Sequence, residues 1–569
     1  MEKRWVENKI ANGDIISILV DRLNISSIIA TLLVNRGIKN YEEAEQFFRP
    51  KLKDLHDPFL MKDMEQAIDR IEQAIQKNER ILIYGDYDVD GTTSVALVFS
   101  FFQSFYKNIE SYIPDRYKEG YGISIAGIDY AKSTDTTLII ALDCGIKAIE
   151  QVAYAKSLGI DFIICDHHLP SEQIPDAVAV LDPKRKDCNY PYKELAGCGI
   201  GFKLVQAYTI KNNIPFEEIS PYLDLVVVSI AADIVPLDGE NRILAYYGLQ
   251  QLTSNPRPGL KALLEYSSAK DITINDIVFF VGPRINAAGR IDHARHAVDL
   301  LIAENDVIAK RLCDTINDKN TERKEFDQNI TIQAIEMLEQ SDELKNRKST
   351  VLFNADWHKG VIGIVASRLI DKYYRPTIIL TESNGFASGS ARSVIGFDVY
   401  EAISACSDLL EQYGGHKYAA GLTMKVENVS EFSSRFEKYV SETILETSLQ
   451  QEIDIESELN LADFDSKFYR ILKQFSPFGP GNMKPIFISR NVQLASDVKL
   501  VGKNGANHLK FTVVQNGSYT FDCIAYGLGS CKEAIEQTEG FDICYSIEEN
   551  TWRDKTSIQL NIKDIRVSS

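Results

Sequence analysis

No stretch of the chain approaches the roughly 18 uninterrupted apolar residues that a membrane span requires; the longest apolar strings, such as 225–230, are strand-sized. A membrane partner is therefore not expected. The charged start, Met-Glu-Lys-Arg-Trp-Val-Glu-Asn, is followed by no apolar signal region with a small-residue cleavage site, so a cytoplasmic location is expected. Cys-x-x-Cys pairs are missing as well. The nine cysteines are odd in number and scattered, which argues against both a disulfide framework and a zinc ribbon. Basic charge is in deficit, with 62 Lys plus Arg against 81 Asp plus Glu and a net charge of -19. Such a field repels a polyanion at long range, so any nucleic-acid binding would need local basic grooves and bound cations. There is no internal repeat and no long low-complexity linker.

What is present is an ordinary globular composition, 44% hydrophobic and 25% charged, in 569 residues. At roughly 100 to 200 residues per domain that length holds about three or four domains. Residues 1–75 read as an N-terminal helical region, with apolar side chains at helical spacing in Tyr41-Glu-Glu-Ala-Glu-Gln-Phe-Phe and again from Met64 onward. Over 76–303 short β-branched runs alternate with turns and helix-like segments: Ile81-Leu-Ile-Tyr, Thr137-Leu-Ile-Ile-Ala-Leu, Asp161-Phe-Ile-Ile-Cys and Leu225-Val-Val-Val-Ser-Ile. That alternation predicts a parallel α/β sheet. Residues 304–346, charged and nearly free of Gly and Pro, predict one or two connecting helices. A second α/β pattern fills 347–450. The tail, 451–569, alternates in short stretches between Gly and Asn turns, which predicts a small β-barrel.

The densest chemistry is Gly85-Asp86-Tyr87-Asp88-Val89-Asp90-Gly91, a strand, an acidic turn and a helix start. Three carboxylates within five residues repel one another unless cations or hydrogen bonds neutralise them. An EF-hand loop also begins Asp-x-Asp-x-Asp-Gly, but its twelfth position needs a bidentate Glu and here is Leu97, and a strand precedes the turn. A Walker A loop needs Lys where Thr92 stands. Both readings fail.

Other strand ends give the turn partners. Asp143 follows one apolar strand, Asp166-His167-His168 follows another, and Asp233 ends the run from Val226, read as a fourth strand. A lone strand-end Asp is ordinarily a helix cap, and a lone buried His a satisfied core residue. Four such ends in one open α/β sheet should instead converge on one crevice at the carboxyl ends of the strands. Carboxylates and imidazoles without cysteine suit Mn²⁺ or Mg²⁺, with enough ligands for two ions. Two ions about 3.5 to 4 Å apart can clamp the attacking and leaving oxygens of a phosphoester.

These residues resemble the DHH phosphoesterase superfamily, and within it the bacterial single-strand-specific exonucleases. The likeness runs through most of the length: Gly-Asp-Tyr-Asp-Val-Asp-Gly-Thr-Thr-Ser at 85–94, Ile-Pro-Asp-Arg-Tyr-Lys-Glu-Gly-Tyr-Gly at 113–122, Asp143-Cys-Gly, Asp166-His167-His168 and Ala232-Asp233-Ile-Val-Pro. It continues through Gly-Pro-Arg-Ile-Asn-Ala-Ala-Gly-Arg at 282–290, Trp-His-Lys-Gly-Val-Ile-Gly-Ile-Val-Ala-Ser-Arg at 357–368, Gly-Ser-Ala-Arg-Ser at 389–393 and Gly-Gly-His-Lys-Tyr-Ala-Ala-Gly at 414–421. The resemblance implies a DHH parallel-sheet domain and a DHHA1 α/β domain joined by a long helix, followed by an OB-fold barrel. It implies Asp88, Asp90, Asp143, His167 and Asp233 as ligands of two Mn²⁺ or Mg²⁺ ions, with Asp143 between them. Asp86, Asp166 and His168 then support the ligands by hydrogen bonds or face the phosphate, His168 counting with the catalytic set.

Guanidinium forks match phosphate bidentately, and glycine-rich turns expose N–H groups to it. Within the resemblance, Arg116, Arg290, Ser390 and Arg392 form a pocket for a 5′-terminal phosphate, with Arg284 a weaker candidate. His416, in the Gly-Gly-His turn, would face the metals and the scissile phosphate. His358 either binds DNA or closes the second lobe onto the first. In the barrel, Lys499, Lys503, Lys510, Tyr526 and Trp552 are candidates for tracking and stacking on a single strand.

The implied activity is 5′-to-3′ exonucleolytic hydrolysis of single-stranded DNA to mononucleotides by two-metal chemistry, in DNA repair and recombination, with a single-strand-binding protein and a helicase as partners. Two alternatives stand beside it. One is a phosphodiesterase for short oligoribonucleotides or cyclic dinucleotides, whose relatives resemble only the first two lobes. The other is a non-catalytic single-strand-binding adaptor, which loss of ligands would mark; every ligand position is retained here.

Overall fold

The computed structural model describes residues 3–8, 13–267, 271–502, 507–552 and 555–567. The chain divides into two compact units: Lys51–Leu449, and Met1–Pro50 together with Gln450–Ser569.

In the larger unit, five parallel strands form one sheet in the order β2-β1-β3-β4-β5, where β1 is Arg80–Gly85, β2 Ile109–Tyr112, β3 Thr136–Leu142, β4 Asp161–Cys165 and β5 Ala179–Leu181. Alternate side chains enter two different cores. Ile81, Ile83, Ile140 and Ile163 pack on one face, and Leu82, Tyr84, Ile139 and Ile164 on the other. Burial on both faces explains why these strands read as continuous apolar runs.

Helix α1 (Val89–Gln103) leaves the first strand's acidic turn; α2 (Gly197–Lys211) and α3 (Leu223–Ala232) pack against it. The run 225–230, expected as a strand, is therefore helical. Every residue from Leu223 to Ala231 is buried, so no polar face exists from which a period of 3.6 could be distinguished from a strand. Helix α2 is anchored by a fully buried ion pair, Lys203 Nζ to Glu240 Oε1 at 2.7 Å, and Lys203 also donates to the His56 carbonyl at 2.9 Å. Replacing Lys203 by Met should leave the Glu240 carboxylate uncompensated and cost about 3–5 kcal/mol. The urea midpoint of the larger unit measures that loss.

Helix α4 (Gly282–Ile291) leads toward α5 (Asp306–Glu339), a single 34-residue helix about 50 Å long. A five-stranded mixed sheet follows, in the order β9-β10-β8-β7-β6: β6 is Thr350–Phe353, β7 Thr377–Ser383, β8 Phe386–Arg392, β9 Leu410–His416 and β10 Ala419–Lys425. Helix α6 (Ile362–Tyr373) lies between β6 and β7 in sequence and packs on α5, β7 and β8.

The smaller unit holds a seven-stranded sheet whose strands Phe487–Leu494 and His508–Val514 also pair with each other, closing a barrel. The region 1–75 does not stay together. Helices Gly13–Leu23 and Ser27–Asn35 place Leu19, Ile29 and Leu33 in the same core as barrel residues Phe487, Phe511 and Tyr545, and strand Arg4–Glu7 pairs in parallel with Glu452–Ile455. Met64–Gln76 belongs instead to the core of the larger unit. Among the described residues no single helix is long and apolar enough to cross a membrane.

Candidate metal centre and phosphate pocket

The carboxyl ends of the parallel strands deliver the acidic residues to one edge of the sheet. After β1 the chain turns through Asp86 and Asp88 into α1. Asp88 caps that helix, its Oδ1 accepting from the Gly91 N–H at 3.0 Å. Gly91 is required there because a Cβ would sit 2.4 Å from the Asp86 carbonyl oxygen. Asp90, in the first turn, is held by three donors from other helices: the N–H groups of Gly197 (2.7 Å) and Cys198 (2.8 Å) at the start of α2, and the Ser229 hydroxyl (2.7 Å) on α3. A helix N-terminus offers free N–H groups and positive potential to a carboxylate.

Asp143 follows β3 with φ +58°, a left-handed conformation that Asp tolerates better than most residues. His167 follows β4. Its Nε2 lies 3.2 Å from Asp143 Oδ1, 3.5 Å from Asp233 Oδ2 and 3.7 Å from Asp90 Oδ2. None of these approaches is an aligned hydrogen bond: both His167 nitrogens, Asp143 Oδ1 and Asp86 Oδ2 are buried without a partner. Asp233 arrives from the C-cap of α3, not from a strand end. Two sets of donor atoms thus gather within 4.8 Å: Asp90, His167 and Asp233, and Asp143, His167 and His168.

Asp166 organises the histidines. Its Oδ1 accepts from the backbone N–H groups of His167 (2.8 Å) and His168 (3.1 Å) and contacts His168 Nδ1 at 2.7 Å, while Oδ2 accepts from the Ile146 N–H at 2.9 Å. His168 Nε2 meets the Tyr121 hydroxyl at 3.2 Å. Burial works against charging either group, but their mutual contact holds Asp166 below the usual carboxylate range and His168 above the usual imidazole.

The other carboxylates are pushed the opposite way. Burial, then the charge of Asp90, raises Asp88 and drives Asp143 well up; burial, then Asp88, does the same to Asp86. Asp233 is pushed to about 8 by burial, then by Asp90 and Asp88, and burial lowers His167. A crevice of mutually repelling carboxylates with unpartnered oxygens and imidazole nitrogens fits hard divalent cations. Buried Cys144 and Cys198 do not change that donor set, because burial pushes both thiols well up. Replacing Asp166 by Asn should lower divalent-cation affinity by about 10- to 100-fold through loss of His168 and backbone orientation. Calorimetric titration with Mn²⁺ measures it.

One buried carboxylate escaped the sequence reading. Asp182 directly follows β5, accepts from the Lys184 N–H at 2.7 Å, keeps Oδ2 unpartnered, and is pushed by burial to about 7. The local signal is the same as for Asp143, an Asp that ends an apolar run.

The arginines form a second cluster. Arg116 lies over the Tyr87 ring at 4.6 Å. Arg290 Nη1 donates to the Gly360 carbonyl at 2.9 Å, and the Tyr117 hydroxyl donates to the Arg290 carbonyl. Arg392 donates to Ser390 Oγ at 3.1 Å, and Gly363 allows that pair to approach, since a Cβ there would lie 2.9 Å from Ser390 Oγ and 3.0 Å from Arg392 Nη2. Burial, then the charges of Arg116, Arg323 and Arg392, brings Arg290 down to about 10. A buried guanidinium held down by the charges of its neighbours in this way favours an anion.

Three candidates lie elsewhere. Arg284 stacks over Tyr266 at 4.2 Å and donates to the Phe280 carbonyl, a packing role that leaves it out of the cluster. His358 stacks on Phe326 at 4.9 Å and accepts from the Gly360 N–H at 3.1 Å, shaping the turn that Arg290 grips. His416 sits exposed at the end of β9 and is not among the side chains gathered at the carboxylates. In the barrel, Lys499 and Lys510 are exposed cross-strand neighbours, and Tyr526 is exposed, edge-on to His508 at 5.1 Å. Lys503 and the Trp552 side chain lie outside the described residues.

Three stretches of the chain match known families: residues 80–230 the DHH family N-terminal domain, 346–442 the DHHA1 domain, and 455–564 the RecJ OB domain. The single-stranded-DNA-specific exonuclease RecJ of Bacillus subtilis is 39% identical over 569 residues, covering 99% of this chain and 71% of its own. The exonuclease of the same name from Escherichia coli is 32% identical, covering 95% of each chain. Among solved structures, RecJ of Thermus thermophilus in complex with Mn²⁺ superposes with a TM-score of 0.85 at 25% identity, covering all of this chain and 80% of that one.

Proposed function

The chain belongs to the RecJ family of single-stranded-DNA-specific exonucleases, and from that premise we propose that it removes mononucleotides from the 5′ end of single-stranded DNA. The observation that carries the proposal is His167 Nε2 set among the carboxylates of Asp90, Asp143 and Asp233 with its own nitrogens unpartnered, in the same unit as an arginine cluster.

Asp88, Asp90, Asp143, His167 and Asp233 would hold two Mn²⁺ or Mg²⁺ ions. Bound there, the ions supply Lewis-acid charge to the scissile phosphate and to the attacking water. The chain's own residues position the rest. Asp166 fixes the His168 ring and the His167 backbone, so that neither reorganises during reaction. Arg116, Arg290 and Arg392, with Ser390, take the 5′-terminal phosphate and set how far the strand enters, which selects the bond to be cut. His358 keeps the Gly360 turn in shape beside Arg290. His416, on its exposed hairpin, would contact the scissile phosphate. Lys499 and Lys510, like charges on facing strands, gain from a phosphate backbone laid across them, and Tyr526 offers a ring for stacking.

The barrel favours a polymer over dinucleotides, and the complete carboxylate and histidine set favours an enzyme over an adaptor. A chain with net charge -19 gains from being loaded onto DNA by a single-strand-binding protein or a helicase, acting in the cytoplasm. The test is an oligonucleotide labelled at one end or the other, digested with Mn²⁺. Labelled mononucleotide should appear first from the 5′ label, and blunt duplexes should resist. First release from the 3′ label, or rapid unaided degradation of blunt duplex, would overturn the reading.

A further inference from the structure

The arginine pocket is assembled from two halves that share no strand or helix. Arg290 comes from α4, whereas Ser390 and Arg392 come from β8 and rest on Gly363 of α6. Both α4 and α6 pack on the connecting helix α5. On one face of α5, at spacings of three and four, Asn320, Arg323 and Asp327 are buried to 1%, 9% and 0% exposure. Two opposite charges and an amide buried in a connecting helix are costly unless they are paired.

Asp327 does the pairing. Its Oδ2 lies 3.2 Å from Arg323 Nη1, and Arg323 Nη2 donates to Asn320 Oδ1 at 2.7 Å. Its Oδ1 lies 2.6 Å from Arg368 Nη2, an ion pair by distance rather than an aligned hydrogen bond, and Arg368 belongs to α6. One carboxylate on the connecting helix thus ties down the helix on which Ser390 and Arg392 rest. It also holds Arg323, one of the three guanidiniums whose charge acts on Arg290.

We propose that Asp327 is a positioning residue for the phosphate pocket: through Arg368 and Arg323 it fixes α6 against α5 and so sets the separation between Arg290 and the Ser390–Arg392 pair. This rests on reading that pocket as the site of the 5′-terminal phosphate. Charge and position make opposite predictions. Removing a negative charge beside a phosphate site would by Coulomb's law tighten phosphate binding. Losing the tie loosens the fork geometry and weakens it.

The experiment is steady-state kinetics with Mn²⁺ on oligonucleotides ending in 5′-phosphate or 5′-hydroxyl, using the full chain, Asp327→Asn, Asp327→Glu and Arg368→Gln. Asp327→Asn should raise KM for the phosphorylated substrate about tenfold, with kcat within about twofold and the hydroxyl substrate unaffected. Asp327→Glu should recover part of the loss. Arg368 is 40% exposed, so Arg368→Gln tests the same tie without emptying a buried site, and should show the same split even where Asp327→Asn fails to fold. An unchanged ratio of the two KM values in Arg368→Gln, an equal loss on both substrates, or tighter binding of the phosphorylated one overturns the inference. Absence of any 5′-phosphate preference in the unsubstituted chain removes the pocket reading itself, and is seen before any substitution is made.

Discussion

Asp143→Asn should abolish detectable exonuclease activity, a fall on the order of 10³-fold or more, without lowering the melting temperature of the ion-free protein. A loss of that size exceeds the roughly 10- to 100-fold expected for a group that only orients a ligand. Both halves of the expectation follow from one geometry. Asp143 Oδ1 is buried, unpartnered and 3.2 Å from His167 Nε2, so its charge has no use in the protein alone and every use toward a bound cation. Asn keeps the shape and also tolerates the left-handed backbone at φ +58°, which Ala would strain. Oligonucleotide digestion with Mn²⁺ and a thermal melt in EDTA measure the two halves. An active Asp143→Asn enzyme would remove Asp143 from the ligand set.

Stripping divalent cations should silence the enzyme and destabilise the larger unit, and Mn²⁺ should reverse both. At 100 times its dissociation constant a ligand that binds only the folded state adds about 2.7 kcal/mol. The ion-free protein should also be pH-sensitive in a defined direction. Asp233 is pushed to about 8 in the fold, far above an unfolded carboxylate near 4. The folded state therefore holds a proton that the unfolded chain has lost, a contribution fully present below about pH 4 and lost as pH rises through about 8. Melting temperature in EDTA should fall between pH 6 and pH 8.5, and saturating Mn²⁺ should flatten that slope. A melt indifferent to both Mn²⁺ and pH would mean that the carboxylates are neutralised by something other than a cation.

Some of this site is legible in the sequence because it is local. The turn from Asp86 to Asp90 and the triplet Asp166-His167-His168 each sit within a few residues of a strand end, and a short continuous apolar run followed by an acid needs no tertiary information to be seen. Asp233 was found for a partly mistaken reason. Its preceding run is apolar on all sides, so strand and buried helix look alike, and the carboxylate reaches the centre from a helix C-cap. Asp182 carries the same local signal, and only the structure shows it buried with an unpartnered oxygen. The membership of the first 50 residues in the barrel's unit had no local signature, since Arg4 and Glu452 pair across 448 residues.

The sequence by itself determined the donor chemistry on offer, acids and imidazoles that follow apolar runs, whereas the individual ligands and the phosphate-facing arginines were implied by the resemblance to a known family. Only the tertiary structure decided their distances. His167 is central because the packing of β3, β4 and α3 brings Asp143 and Asp233 within 3.5 Å of its Nε2. The fork of Arg290 and Arg392 exists only because α4 and α6 both lie on α5. Side-chain chemistry is a property of each residue, whereas convergence is a property of packing, and packing depends on the whole chain at once.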